Sequence, residues 1–175
     1  WRGPQDAEFF DGNDIVTVGE DWYSTRDYTR KMIEFIEQDR AEKKPMFIYM
    51  AYTAPHWPLQ APRESIEKFR GRYDAGYEVL YAERFARQKE LALVPEDARP
   101  IDSSRFNPRW NDLPEQEKRL AARRMEIYAA MVADLDHYVG ELLAYLEDIG
   151  ELDNTFILFS SDNGAEPGRR DLQPN

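Results

Sequence analysis

The 175-residue chain contains no cysteine, which excludes disulfides, thiolate zinc sites and cysteine nucleophiles within it. Histidine is almost as scarce: imidazole chemistry has two addresses, His56 and His137. Positive charge is in deficit, with 23 Lys and Arg against 34 Asp and Glu and a net charge of −11. Phosphate binding needs clustered cations, so this balance argues against a nucleic-acid partner. The local cluster Arg119, Arg123 and Arg124 sits among Glu115, Glu117 and Glu126, the spacing of pairs along a helix surface. No run approaches the ~20 apolar residues of a membrane span, and no secretory signal opens the sequence. Also missing are internal repeats, a P-loop, a dinucleotide fingerprint and a Gly-x-Ser-x-Gly elbow. Glu8, Asp11 and Glu166 lack the spacing of a glycosidase pair.

What remains is the composition of a folded domain, 42% hydrophobic and 13% aromatic, and long enough to bury a core. Asp11-Gly12-Asn13-Asp14 is a turn signal leading into the β-like run Ile15-Val16-Thr17-Val18. Ser24-Thr25-Arg26-Asp27 opens a helix, with an acidic side chain three residues beyond a capping hydroxyl. Tyr28, Met32, Phe35 and Ile36 give that helix an apolar face, and Pro45 stops it after Glu42-Lys43-Lys44. Ile66 and Phe69 suggest a short helix, and 77–91 another. The stretch 98–114 is punctuated as an irregular excursion. Asp112-Leu113-Pro114-Glu115 opens the longest helix. Its stripe steps through Tyr128, Met131, Leu135, Val139, Leu142, Leu146 and Ile149 to a C-cap at Gly150.

Two nearly continuous apolar runs, 46–52 and 155–160, fit strands covered on both faces, as in a parallel sheet. Helix, strand, helical excursion and strand together predict an α/β architecture, a mostly parallel sheet flanked by helices. In such folds ligands bind beyond the carboxyl ends of the strands. Each run delivers a distinctive loop there: the proline-stiffened Ala54-Pro55-His56-Trp57-Pro58 and the turn Ser161-Asp162-Asn163-Gly164. His56 is thereby a candidate anion contact or proton carrier, and equally a packed structural histidine. Asp162 and Asn163 offer hard oxygens to Ca²⁺ or Mg²⁺, and equally make an ordinary Asp-Asn-Gly turn. His137, among Asp134, Asp136 and Glu141, is expected at a helix surface without a role. Tyr49, Tyr52, Trp57 and Tyr128 are expected in the core.

The segment Lys44-Pro45-Met46-Phe47-Ile48-Tyr49-Met50-Ala51-Tyr52-Thr53-Ala54-Pro55-His56-Trp57-Pro58-Leu59-Gln60-Ala61-Pro62 closely resembles the middle of arylsulfatases. So does Asn154-Thr155-Phe156-Ile157-Leu158-Phe159-Ser160-Ser161-Asp162-Asn163-Gly164-Ala165-Glu166, together with Phe9-Phe10-Asp11-Gly12-Asn13, Trp22-Tyr23-Ser24-Thr25, Asp136 and Gly140. The likeness runs in family order over nearly the whole chain.

The resemblance implies the alkaline-phosphatase-like α/β fold. It also implies sulfate-ester hydrolysis by a formylglycine nucleophile, made from Cys or Ser, beside a divalent cation, usually Ca²⁺. Carried over by motif, Asp162 and Asn163 ligate that cation. His56 faces the sulfate and its leaving oxygen, and Asp162 also accepts a proton in the reaction. The substrate is then a sulfated small molecule or glycan.

The formylglycine motif, an early pair of metal-binding aspartates, a catalytic Lys and His, and a later sulfate-contacting Lys have no match here. With Trp1-Arg2-Gly3-Pro4 at one end and Leu172-Gln173-Pro174-Asn175 at the other, residues 1–175 are expected to be an internal segment of one catalytic domain, inactive alone. The alternatives are a phosphonate or phosphate ester hydrolase of the same superfamily and a non-catalytic binding protein on that scaffold. Oligomeric state and compartment, cytoplasmic or secreted, are not legible.

Overall fold

A computed structural model describes residues 8–102 and 108–164, so the motif tail Ala165-Glu166 and both chain ends lie outside the described residues. The chain forms two compact units, one of Trp1–Pro58 with Asp136–Asn175 and the other of Leu59–Leu135.

The first unit opens with an antiparallel hairpin of β1 (Phe9–Asp11) and β2 (Asp14–Val16), in register Phe9 with Val16. Its turn begins on Gly12 at φ +62°, the glycine-first choice that matches strand twist. Helix α1 spans Ser24–Asp39. The capping differs from expectation by one residue. Tyr23 is the N-cap, and Asp27 reaches back to accept its backbone N–H at 2.6 Å, so Ser24 supplies no cap. A 3₁₀ turn over Arg40–Glu42 and left-handed Lys43 (φ 52°) finish the helix before Pro45. The buried face is Thr25, Thr29 and Ile36; Phe35, expected inside, is exposed.

Helix α4 (Glu115–Asp148) ends in this unit. Gly150 at φ +75° donates to the Glu147 carbonyl and Glu151 to that of Leu146, the paired bonds of a Schellman cap. Ile36, Leu142 and Leu146 form the buried cluster, joined by Met32, Ile33, Ile48, Met50, Tyr145, Ile149 and Leu152.

The second unit holds α2 (Arg63–Glu67), α3 (Tyr77–Glu90) and the earlier turns of α4. Tyr73, Trp110 and Ala122 are its core. Gly76, the N-cap of α3, has φ +92°, and a Cβ there would lie 2.4 Å from Cγ of Trp110. The stripe of α4 departs from the reading of the sequence. In this half of the helix, the buried positions are Ala122, Glu126, Ala130, Met131 and Asp134, while Tyr128 and Leu135 are only half-buried. Two carboxylates survive there because each has a donor. Glu126 accepts from the Gly71 N–H at 2.8 Å and Arg123 at 2.7 Å, and Asp134 accepts from Ser65 at 2.8 Å.

The expected parallel sheet is not formed among the described residues, whose only sheet is the β1–β2 hairpin. Residues 46–52 and 156–160 belong to no strand or helix and make no backbone–backbone hydrogen bond among the described residues. In 46–52 the burial alternates as a strand's should. Ile48, Met50 and Tyr52 turn inward, whereas Phe47 is 94% exposed and Tyr49, expected in the core, is 79% exposed. Phe156 and Leu158 stand 91% and 80% exposed. A ladder needs a neighbour, and among the described residues these runs have none on which to pair.

Candidate active-site loops

Both candidate loops belong to the first unit. The path to His56 starts at Tyr52, the last inward residue of the 46–52 run. Its hydroxyl lies 2.6 Å from Oγ1 of Thr29, which is fully buried on α1. Thr29 spends its single hydroxyl hydrogen on the Thr25 carbonyl, at 3.1 Å. Tyr52 is therefore the donor to Thr29. Burial pushes the Tyr52 phenol above its ordinary value, and nearby Glu141 acts in the same direction. The phenol stays protonated and keeps donating.

From Tyr52 the chain turns at once. The His56 N–H donates to the Thr53 carbonyl at 2.9 Å across cis Pro55, and the Trp57–Pro58 bond is cis as well. His56 is exposed, and its Nδ1 is 2.6 Å from the Trp57 carbonyl oxygen. A carbonyl only accepts, so Nδ1 carries the hydrogen. Nε2 makes no hydrogen bond among the described residues, and offers a lone pair in neutral imidazole and an N–H in the cation.

The second loop is compact. The Ser161 hydroxyl donates to the Asn163 carbonyl at 2.6 Å, and the Asn163 amide donates from Nδ2 to the Gly164 carbonyl at 2.7 Å. That leaves Oδ1 of Asn163 as an acceptor. The exposed Asp162 carboxylate has no hydrogen bond or ion pair among the described residues. Hard oxygens of this kind suit Ca²⁺, which takes ~6–8 oxygen ligands, or octahedral Mg²⁺. The pair supplies two positions, and no cluster of three or more His, Asp or Glu capable of holding a metal occurs among the described residues.

Asp162 and Asn163 are thus brought together by adjacency, and no hydrogen bond joins either to His56. His137 is exposed, its ring 4.9 Å from that of Tyr138, in keeping with a surface residue. The contact the sequence reading missed is Thr29 with Tyr52. Its signal was two threonines at i and i+4 on the helix face that also carries Ile36.

Against known proteins, the family model described as Sulfatase matches residues 3–175. An uncharacterized sulfatase of Schizosaccharomyces pombe is 46% identical over 146 residues, 83% of this chain and 26% of the relative. The arylsulfatase of Klebsiella aerogenes is 38% identical over 154 residues, 88% of this chain and 33% of the relative. Human iduronate 2-sulfatase is 25% identical over 168 residues, 86% of this chain and 27% of the relative. The chain therefore spans between 26% and 33% of the length of these three curated relatives.

Proposed function

Since the chain belongs to the sulfatase family, we propose that it is the central segment of a catalytic domain that hydrolyses sulfate esters. The bare apolar runs support the segment reading. Large exposed apolar patches mark surfaces that another element covers, and unpaired strands seek neighbours. In the polypeptide envisaged here, the rest of the domain provides both, along with the formylglycine nucleophile and the alkaline-phosphatase-like parallel sheet.

The observation that carries the chemical reading is the orientation of His56. Its Nδ1 is committed to the Trp57 carbonyl, so Nε2 is the nitrogen offered outward. In the cation, Nε2–H donates to a sulfate oxygen or to the bridging oxygen. The developing charge on the leaving alkoxide or phenoxide is thereby reduced. Asp162 and Asn163 contribute two oxygen ligands to a divalent cation. A bound Ca²⁺ supplies positive charge that offsets the charge of the sulfate group. In this reading the carboxylate of Asp162 also accepts a proton in the reaction. The substrate is a sulfated small molecule or glycan.

The experiment compares Asp162→Ala and His56→Ala in the complete polypeptide. Both should lower kcat, by about 10²–10⁴-fold for a positioned electrostatic or acid–base contact. Only Asp162→Ala should weaken Ca²⁺ binding, read by titration calorimetry. Unchanged Ca²⁺ affinity in Asp162→Ala would sink the metal assignment. Faster turnover of an aryl phosphate than of the matched aryl sulfate would move the assignment to a phosphate ester hydrolase.

A further inference from the structure

We propose that Thr29 and Tyr52 are positioning residues for His56, fixing the depth and direction from which its Nε2 meets the substrate. The inference rests on the reading of His56 given above and adds two residues that touch no substrate.

The geometry is a short lever with a buried pivot. Tyr52 closes the 46–52 run, whose inward residues Ile48 and Met50 pack on the first unit's core. Its phenol is fastened at 2.6 Å to Thr29, and Thr29 is fastened to its own helix through the Thr25 carbonyl. Thr29 is fully buried, so water does not replace the bond when it is lost. Only three residues separate this pivot from His56. Pro55 fixes one φ in between, and the Thr53–His56 turn bond fixes the closure. The ring is then held by the Trp57 carbonyl. A displacement at Tyr52 therefore reaches His56 with little intervening slack. A misplacement of ~1 Å in a catalytic group costs on the order of 10²-fold in rate.

The test is a kinetic cycle in the complete polypeptide with a chromogenic sulfate ester and saturating Ca²⁺. Tyr52→Phe keeps the ring and its packing and removes only the donor; Thr29→Val keeps the shape and removes the acceptor. Each should lower kcat roughly 10- to 100-fold, with KM changed less than about threefold. Thr29→Ser, which retains the hydroxyl, should recover most of the rate. The Tyr52→Phe/Thr29→Val double variant should be no slower than the slower single, because both remove one bond. In a His56→Ala background, neither substitution should lower the residual rate further, since the residue they position is gone.

The outcomes separate the two readings. Full activity in His56→Ala overturns the role of His56 itself. A crippled His56→Ala alongside a fully active Tyr52→Phe overturns the positioning proposal alone. So does an equal loss from Tyr52→Phe with and without His56, the mark of a purely structural defect. If Thr29→Val fails to fold, Tyr52→Phe and Thr29→Ser decide the matter.

Discussion

Replacing Gly76 with alanine separates two reasons for a glycine that usually travel together. With φ +92° and ψ 169°, Gly76 occupies a backbone region essentially reserved for glycine, worth about 1–3 kcal/mol against any other residue. Steric overlap adds to this. The new methyl would sit 2.4, 2.6 and 2.7 Å from three atoms of the Trp110 indole. Retreat of that ring is opposed by its packing. It is buried, Tyr77 stands edge-on to it at 5.5 Å, and the Trp110 backbone N–H is held by Glu78 at 2.9 Å. Overpacking a rigid site costs about 1–3 kcal/mol, so Gly76→Ala should lose about 2–6 kcal/mol in all.

Gly12 and Gly150 are the controls, with φ +62° and +75° and nothing within 4 Å of an added Cβ. Their alanine variants should lose only the left-handed backbone penalty, about 1–2 kcal/mol. Urea unfolding of the three variants and wild type, followed by tryptophan fluorescence and compared at equal slope, reads the difference. A Gly76→Ala variant no less stable than Gly150→Ala would refute the assigned clash with Trp110.

Ser65→Ala should destabilise the protein by about 1–3 kcal/mol in the same assay. Among the described residues Ser65 is the only donor to buried Asp134, whose Oδ2 is already unpartnered there, so its removal strands the whole carboxylate. Asp27→Asn should matter at neutral pH and fade in acid. Burial raises the Asp27 carboxyl, but Arg26 and the Tyr23 N–H prevail and hold it below its ordinary value. Its contribution is therefore present above the ordinary carboxylate range and lost as pH falls through the lowered value. The Tm gap between wild type and variant should narrow from pH 7 towards pH 3, and a constant gap would contradict the pairing. The 175-residue chain alone should turn over no aryl sulfate, with Ca²⁺ or with chelator, because none of its residues supplies the formylglycine motif. Calcium-dependent turnover lost in His56→Ala would overturn the segment reading.

Local chemistry was the legible part of this fold. Gly12, Pro45 and Gly150 punctuate the elements they were expected to punctuate, because turn and cap geometry depends on a few adjacent residues. Burial was less legible. Glu126 and Asp134 read as a solvated helix face, and only distant donors, Gly71 and Ser65, make them tolerable inside. Tyr49 and Phe156 read as core because apolar runs announce a need for cover without saying what provides it. For the candidate site, the sequence marked both loops. It did not reveal which imidazole nitrogen is free, since that depends on how the Trp57 carbonyl is turned. Thr29 escaped notice because a lone hydroxyl on a helix carries no mark of its partner.

The uncovered runs also bear on how such a chain is made. Phe156-Ile157-Leu158-Phe159 is aromatic and β-branched, and the 155–160 run has no charge, proline or glycine, the composition of a segment that stacks with copies of itself. Met46 to Tyr52 is similar and leaves the ribosome about 100 residues sooner. At ~5–20 residues per second it waits roughly 5–20 s before the later run exists. Charge flanks both, with a proline beside the first: Lys43, Lys44 and Pro45 precede it, while Asp153 and Asp162 bracket the second. Such residues interrupt intermolecular stacking in the interval before a partner strand arrives. On this view Asp162 has an earlier duty than chemistry. Neutralising it should lower soluble yield as well as rate, and lowering the synthesis temperature should rescue the first loss without the second.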